Sequence, residues 1–381
     1  MKSKSSCDIL LIKSKFILKK IFDSLYNKKL LKIINYNKQI QNFLNKDLNA
    51  YKYEFLKIEI EINIIRKRTY RYNNCFIAFK QEYLPYYHIY FNDDIREIGR
   101  NYFNEDDNIE KIKIILDKEI KSFDGMFKDS EYIQKIRFIK FNRTDINNMF
   151  EMFCKCKSLK EINFFKFNTE NVTNMEKLFK ECYSLEELHL SSFNTKSVKN
   201  MSSMFNSCTA LKKLDLSNFN TNKVIDMSSM FSYCISLKKL NVSNFNTNNV
   251  TDMGNMFYSC KSLEELNISN FSTYNVKDMS SMFGWCQSLK KIDVTNFNTD
   301  NVTDLSNMFV QFKSLKELNL CNYNTNKVES LSYMFRDCSS LEILNISNFN
   351  TKHIILKDGV FNYCKSLKDY DKLKNQIYNY Y

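Results

Sequence analysis

The sequence predicts an α/β repeat fold: a solenoid of 26-residue coils, preceded by an N-terminal helical hairpin and a small β-rich cap. Three observations predict it. Phe recurs at 127, 153, 179, 205, 231, 257, 283, 309, 335 and 361, every 26 residues with no insertion. In the same phase each coil carries Leu-x-x-Leu-x-Leu, as at Leu237, Leu240 and Val242, which ends in the period-two alternation of a short strand with one face inward. Between the strands, Val250, Met253, Met256, Phe257 and Cys260 are spaced by three, three, one and three, which predicts a short helix. One such unit cannot bury its own apolar side, whereas stacked neighbours bury a continuous core.

In chain order, residues 1–50 read as the helical hairpin. Ile17, Leu18, Ile21, Phe22 and Leu25 form one apolar helical face, and Leu30, Leu31, Ile34, Ile40 and Leu44 a second. Residues 51–119 read as the β-rich cap: alternation is strict from Leu56 through Ile64, and "CFIAF", "YYHIYF" and "KIKIIL" are further strand-like runs. Residues 120–381 are the repeats with a C-terminal cap. Only five Gly and one Pro punctuate the chain, so Asn, Asp and Ser must make its turns. Asp226, Asp252, Asp278 and Asp304 stand where they would cap the short helices. Asn142, Asn168, Asn194, Asn220, Asn246, Asn298, Asn324 and Asn350 share one turn column, with Ser272 the exception, and Thr stands next in every coil from Thr169 to Thr351. A buried amide there would satisfy the coils above and below.

Eight of the twelve cysteines, from Cys156 to Cys364, also occupy one column. Phe312 fills it in one coil. Phe neither coordinates a metal nor cross-links, so the column selects a compact buried group, and no metal or other cofactor is expected. Three His, scattered single Gly and no nucleophile elbow argue against an enzyme. Paired charges such as Glu264 and Glu265 in one coil and Lys238 and Lys239 in the one before read as ion-pair ladders on a solvated face. The net charge of +13 is concentrated in residues 2–57, with 13 Lys against four acidic residues, and carries no interleaved aromatic platform. Nucleic acid is therefore not an expected partner. No 18-residue apolar run occurs, and Lys13, Lys15, Lys19 and Lys20 interrupt the N-terminal apolar stretch, so no membrane span and a cytoplasmic location are expected.

Leu-x-x-Leu-x-Leu followed by "SNFNTNNVTDMGNMF" and Cys-x-Ser-Leu resembles the BspA-type leucine-rich repeats, a class also known as a Mycoplasma-type repeat of unknown function. The resemblance covers residues 126 to about 370. It implies a curved leucine-rich-repeat solenoid and, for many bacterial members, adhesion at the cell surface. Residues 16–44 resemble a degenerate F-box, without its Leu-Pro start. That resemblance implies docking to a ubiquitin-ligase adaptor through Leu18, Ile21, Phe22, Leu25 and Leu31.

The expected function is a non-enzymatic interaction scaffold. A protein partner would lie on the concave strand face, on the outward residues Asn163, His189, Asp215, Asn241, Asn267, Asp293, Asn319 and Asn345. A surface adhesin and a substrate receptor of a cullin-type ubiquitin ligase are the alternatives.

Overall fold

The structure is a computed structural model that describes residues 53–65, 75–104 and 106–378. The hairpin expected over 1–50, with Leu18, Ile21, Phe22, Leu25 and Leu31, lies outside the described residues.

A five-stranded sheet begins the described chain: β1 (Ile58–Ile64), β2 (Tyr87–Phe91), β3 (Lys111–Leu116), β4 (Ile133–Lys140) and β5 (Glu161–Asn163), in the order β2-β3-β1-β4-β5. The alternation of β1 buries Ile58, Ile60, Ile62 and Ile64 on one face, with Ile60 opposite Ile114 of β3 and Phe138 of β4. Pairing is antiparallel as far as β4 and parallel from β4 to β5, where Ile136 faces Ile162 one repeat later. The cap and the repeats therefore share one sheet. "CFIAF" is not a strand: Cys75 makes a single bridge to Tyr102, and Phe76 is buried by ring contacts with Phe91 and Phe103.

The repeats add β6 (Glu187–Leu188), β7 (Lys213–Leu214), β8 (Lys239–Leu240), β9 (Glu265–Leu266), β10 (Glu317–Asn319) and β11 (Ile343–Asn345). They pair in parallel, two by two, with partners 26 residues apart. The continuous backbone ladder runs elsewhere. Parallel bridges link Ser122, Asn148, Asn174, Asn200, Asp226, Asp252, Asp278, Asp304, Ser330 and Leu356 without a break.

The segment read as a helix is instead a run of β-turns. Met253, Asn255, Phe257 and Ser259 each donate their N–H to a carbonyl of the next repeat, at 2.7 to 3.1 Å. Met256, Tyr258 and Cys260 close turns onto the residue three before them. Asn255 and Ser259 sit at φ of 58° and 59°, left-handed values that interrupt any helix. Asp252 accordingly caps no helix; its Oδ1 accepts the Gly254 N–H at 2.9 Å, an Asx turn. Among the described residues the repeats contain no α-helix; residues 53–56 are helical ahead of β1, and α1 (Tyr370–Tyr378) follows the repeats.

Apolar columns fill the interior. Phe rings from 127 to 361 stack with centroids 5.4 to 5.9 Å apart, each offset by one repeat. The thiols of the Cys column are buried and unpaired, and each donates to a backbone carbonyl, as Cys260 Sγ does to Phe231 O at 3.1 Å. Burial pushes the Cys260 thiol up to about 12.

The backbone of the next coil is held by Thr and not by the predicted Asn column, while a second amide column reaches the coil before, as Asn244 Nδ2 does in donating to Phe219 O at 2.8 Å. Asn324 and Asn350 in the predicted column reach only side chains, Asp300 and Asn326. Asn246 and its equivalents are half-buried or exposed, and Asn246 Oδ1 only accepts the N–H of Asn248 two residues on. Thr247 beside it is buried; its hydroxyl donates to Ser272 O at 2.8 Å and accepts from Ser272 N at 2.8 Å. Because the contact reaches only the backbone of the next coil, Ser272 can replace Asn there. At the ends the clasp finds other partners. Arg143 takes the Thr place in the first coil and donates to Asp117 O and Lys118 O of the cap, while Thr351 in the last donates to Gln376 O of α1. With Leu373 and Ile377 buried, α1 covers the final coil.

Candidate functional site on the strand side

The strand side is built from the outward positions of each short strand and the turn that follows. Asn163, His189, Asp215, Asn241, Asn267, Asp293 and Asn319 are exposed, and Asn345 is half-buried. Seven of these eight share a local task. Their side-chain oxygen accepts the backbone N–H two residues on, at 3.0 Å from Phe165 to Asn163 and 2.9 Å from Ser217 to Asp215, with the same bond at Asn241, Asn267, Asp293, Asn319 and Asn345. This Asx turn ends the strand, which explains why short polar residues occupy the column. The N–H and hydroxyl of Ser217 hold the Asp215 carboxyl below its usual range, and the Thr295 hydroxyl and N–H do the same for Asp293. Ion pairs between repeats flank the stripe, from Lys212 to Glu186 at 2.7 Å and from Lys135 to Glu161 at 2.9 Å.

Two of the predicted residues, Asn163 and His189, come together in one cleft of about 740 Å³, whose lining includes Lys160, Phe165, Lys166 and Glu187. The other six are not part of it. Phe165 is the residue that sequence reasoning missed. It is 58% exposed, whereas the equivalent position in later coils is Ser191, Ser217, Ser243, Ser269, Thr295, Cys321 and Ser347. The signal was available as the one aromatic in a column that reads Ile139 before it and small residues after it, but neighbouring Phe164, which is buried, supplies the inward apolar position and masked it. Lys166 Nζ lies 5.1 Å from the Phe165 ring centroid, a cation–π contact that orients the ring. Phe165 thus stands as an exposed aromatic with Lys and Glu side chains around it.

Among the described residues no group of three His, Cys, Asp or Glu side chains is placed to hold a metal ion, and no helix is long and apolar enough to cross a membrane.

A stack of near-identical 26-residue units defines a tandem-repeat protein. Its repeats match the family profile described as Mycoplasma protein of unknown function, DUF285, three times, over residues 121–239, 212–291 and 283–377, and the chain belongs to that family. No curated protein matches the chain.

Proposed function

We propose that the chain is a non-enzymatic interaction scaffold, a leucine-rich-repeat solenoid that binds a protein partner on its strand side within the cell. The observation that carries the reading is Phe165, an aromatic held in solvent where seven later coils place Ser, Thr or Cys. Burying a side chain of that size contributes about 1.5 to 3 kcal/mol, and nothing in the fold itself uses it. The Asx turns along the rest of the stripe give the surface a fixed backbone outline on which the anchor stands. The test is capture of partners from source cells by the full chain and by Phe165→Asp and His189→Glu. Both substitutions lie on exposed positions and leave the denaturation midpoint unchanged, while the partner recovered by the full chain is lost. Equal recovery by all three proteins refutes the strand-side reading. Binding to the outside of intact cells in place of a cytoplasmic protein would assign the chain to adhesion.

A further inference from the structure

The turn side carries a second cleft, of about 630 Å³, lined by residues between Asn206 and Asp337. Its residues come from the columns in which the repeats differ most. The position two after each Phe reads Ser207, Tyr233, Ser259, Trp285, Gln311 and Asp337 in successive coils. Backbone geometry there favours glycine, yet Tyr233, Trp285 and Gln311 hold φ of 60°, 62° and 60°. Every coil from Asp129 to Tyr363 takes this left-handed φ, so the fold fixes the backbone there and only the side chain it displays varies. In the Trp285 coil a glycine, Gly284, stands one residue earlier. At Gly284 a β-carbon would lie 2.9 Å from Val310 Cγ1 and 3.0 Å from Tyr258 Cδ2, so bare backbone lets both side chains close over it, and both line the cleft with Trp285. Lys261 Nζ, 5.4 Å from the Trp285 ring, orients the indole.

We propose that this cleft binds a neutral saccharide, with Trp285 and Tyr258 as stacking surfaces for pyranose rings. Asn255, Asn307 and Gln311 supply carboxamides, which donate and accept at once and so match adjacent hydroxyls. Gln311 Oε1 is buried and has no hydrogen-bond partner among the described residues. The charged lining residues, Arg336 and Asp337, pair at 3.4 Å and neutralise each other, which disfavours an ionic ligand. An extended peptide would need open backbone groups. Here Ser229, Asn255 and Ser281 have already donated their N–H groups to the next coil at 2.8 Å, leaving recognition to side chains.

Trp285 is the only Trp in the chain, so its emission reports on this cleft alone. The full chain is titrated with maltotriose, cellotriose, chitotriose and mannotriose. At least one of them shifts the emission saturably, with a dissociation constant of about 1 mM or tighter. Tyr258→Ala weakens that titration at least about tenfold. Followed by calorimetry, Trp285→Gly abolishes binding while its denaturation midpoint stays at or above that of the wild type, since glycine suits the backbone there. Phe165→Asp changes nothing, which separates this site from the strand-side cleft. The proposal is overturned if no sugar saturates by about 10 mM, if Trp285→Gly binds as well as the wild type, or if short peptides saturate the emission change and sugars do not.

Discussion

Replacing Thr247 by Val tests the clasp between coils. Val keeps the branched shape but removes a hydroxyl that both donates to and accepts from the Ser272 backbone at 2.8 Å. Thr247 is 1% exposed, so no solvent replaces the hydroxyl from its own side. One carbonyl and one N–H lose their partner. Each unmade bond costs about 1 to 3 kcal/mol when dry, and the half-buried Ser272 sets the sum near the lower end, about 2 to 3 kcal/mol. Asn246→Ala, by contrast, deletes a single bond of 3.0 Å at a half-buried turn and costs about 0.5 to 1.5 kcal/mol. Thr247→Ser keeps the hydroxyl and loses only a methyl group, about 1 kcal/mol. Urea denaturation followed by far-ultraviolet circular dichroism ranks the three variants. A larger loss for Asn246→Ala than for Thr247→Val would refute the assignment of the coil-to-coil link to Thr.

Asp252→Asn raises stability at neutral pH. Burial and the neighbouring Asp278 and Asp226 raise the Asp252 pKa against the opposing Gly254 N–H, so the folded state loses stability as pH climbs through that raised value. The variant's advantage in melting temperature therefore disappears below the ordinary carboxylate range, and Asn200, which accepts the Ser202 N–H at 2.8 Å, shows that Asn supports the same turn. Tyr323→Phe stabilises by about 1 to 3 kcal/mol, because the Tyr323 hydroxyl is fully buried with no partner among the described residues; a lower denaturation midpoint contradicts this. A thiol reagent modifies the exposed Cys75 and the half-buried Cys321 before the Cys column, and all twelve thiols react after denaturation without reductant. Lys212→Ala leaves the urea midpoint unchanged, since its pair with Glu186 lies in solvent.

The inward columns were legible in the sequence because burial and the 26-residue period act on the same residues: Phe257, Leu263 and Cys260 can be placed without a structure. The path of the backbone between them was not. Met253, Met256, Phe257 and Cys260 have helical spacing, yet consecutive β-turns that send two residues inward generate the same intervals, and only the φ of Asn255 and Ser259 separates the two. Two adjacent kept columns, Asn and Thr, likewise do not reveal which faces inward. The exchange of Asn for Ser272, beside a Thr that never changes from Thr169 to Thr351, is the clue that the hydroxyl makes the contact. The strand-side stripe was located correctly as outward-facing, but its chemistry was hidden, because Asn267 and its equivalents spend an oxygen on their own turn. Phe165 and Trp285 required attention to single departures from the repeat, which averaging over columns discards.

The Thr clasp reaches only main-chain atoms, and the Phe stack asks only for another Phe, so in these two columns any coil meets its neighbour through the same contacts. Units are therefore interchangeable. Duplication or loss of a 26-residue segment by recombination would preserve the Thr and Phe junctions and alter the number of layers between the Phe165 cleft and the Trp285 cleft. Each layer displaces them by one ring spacing, 5.7 Å along the central Phe column. The distance between the two clefts can thereby be reset in fixed steps without redesigning the core.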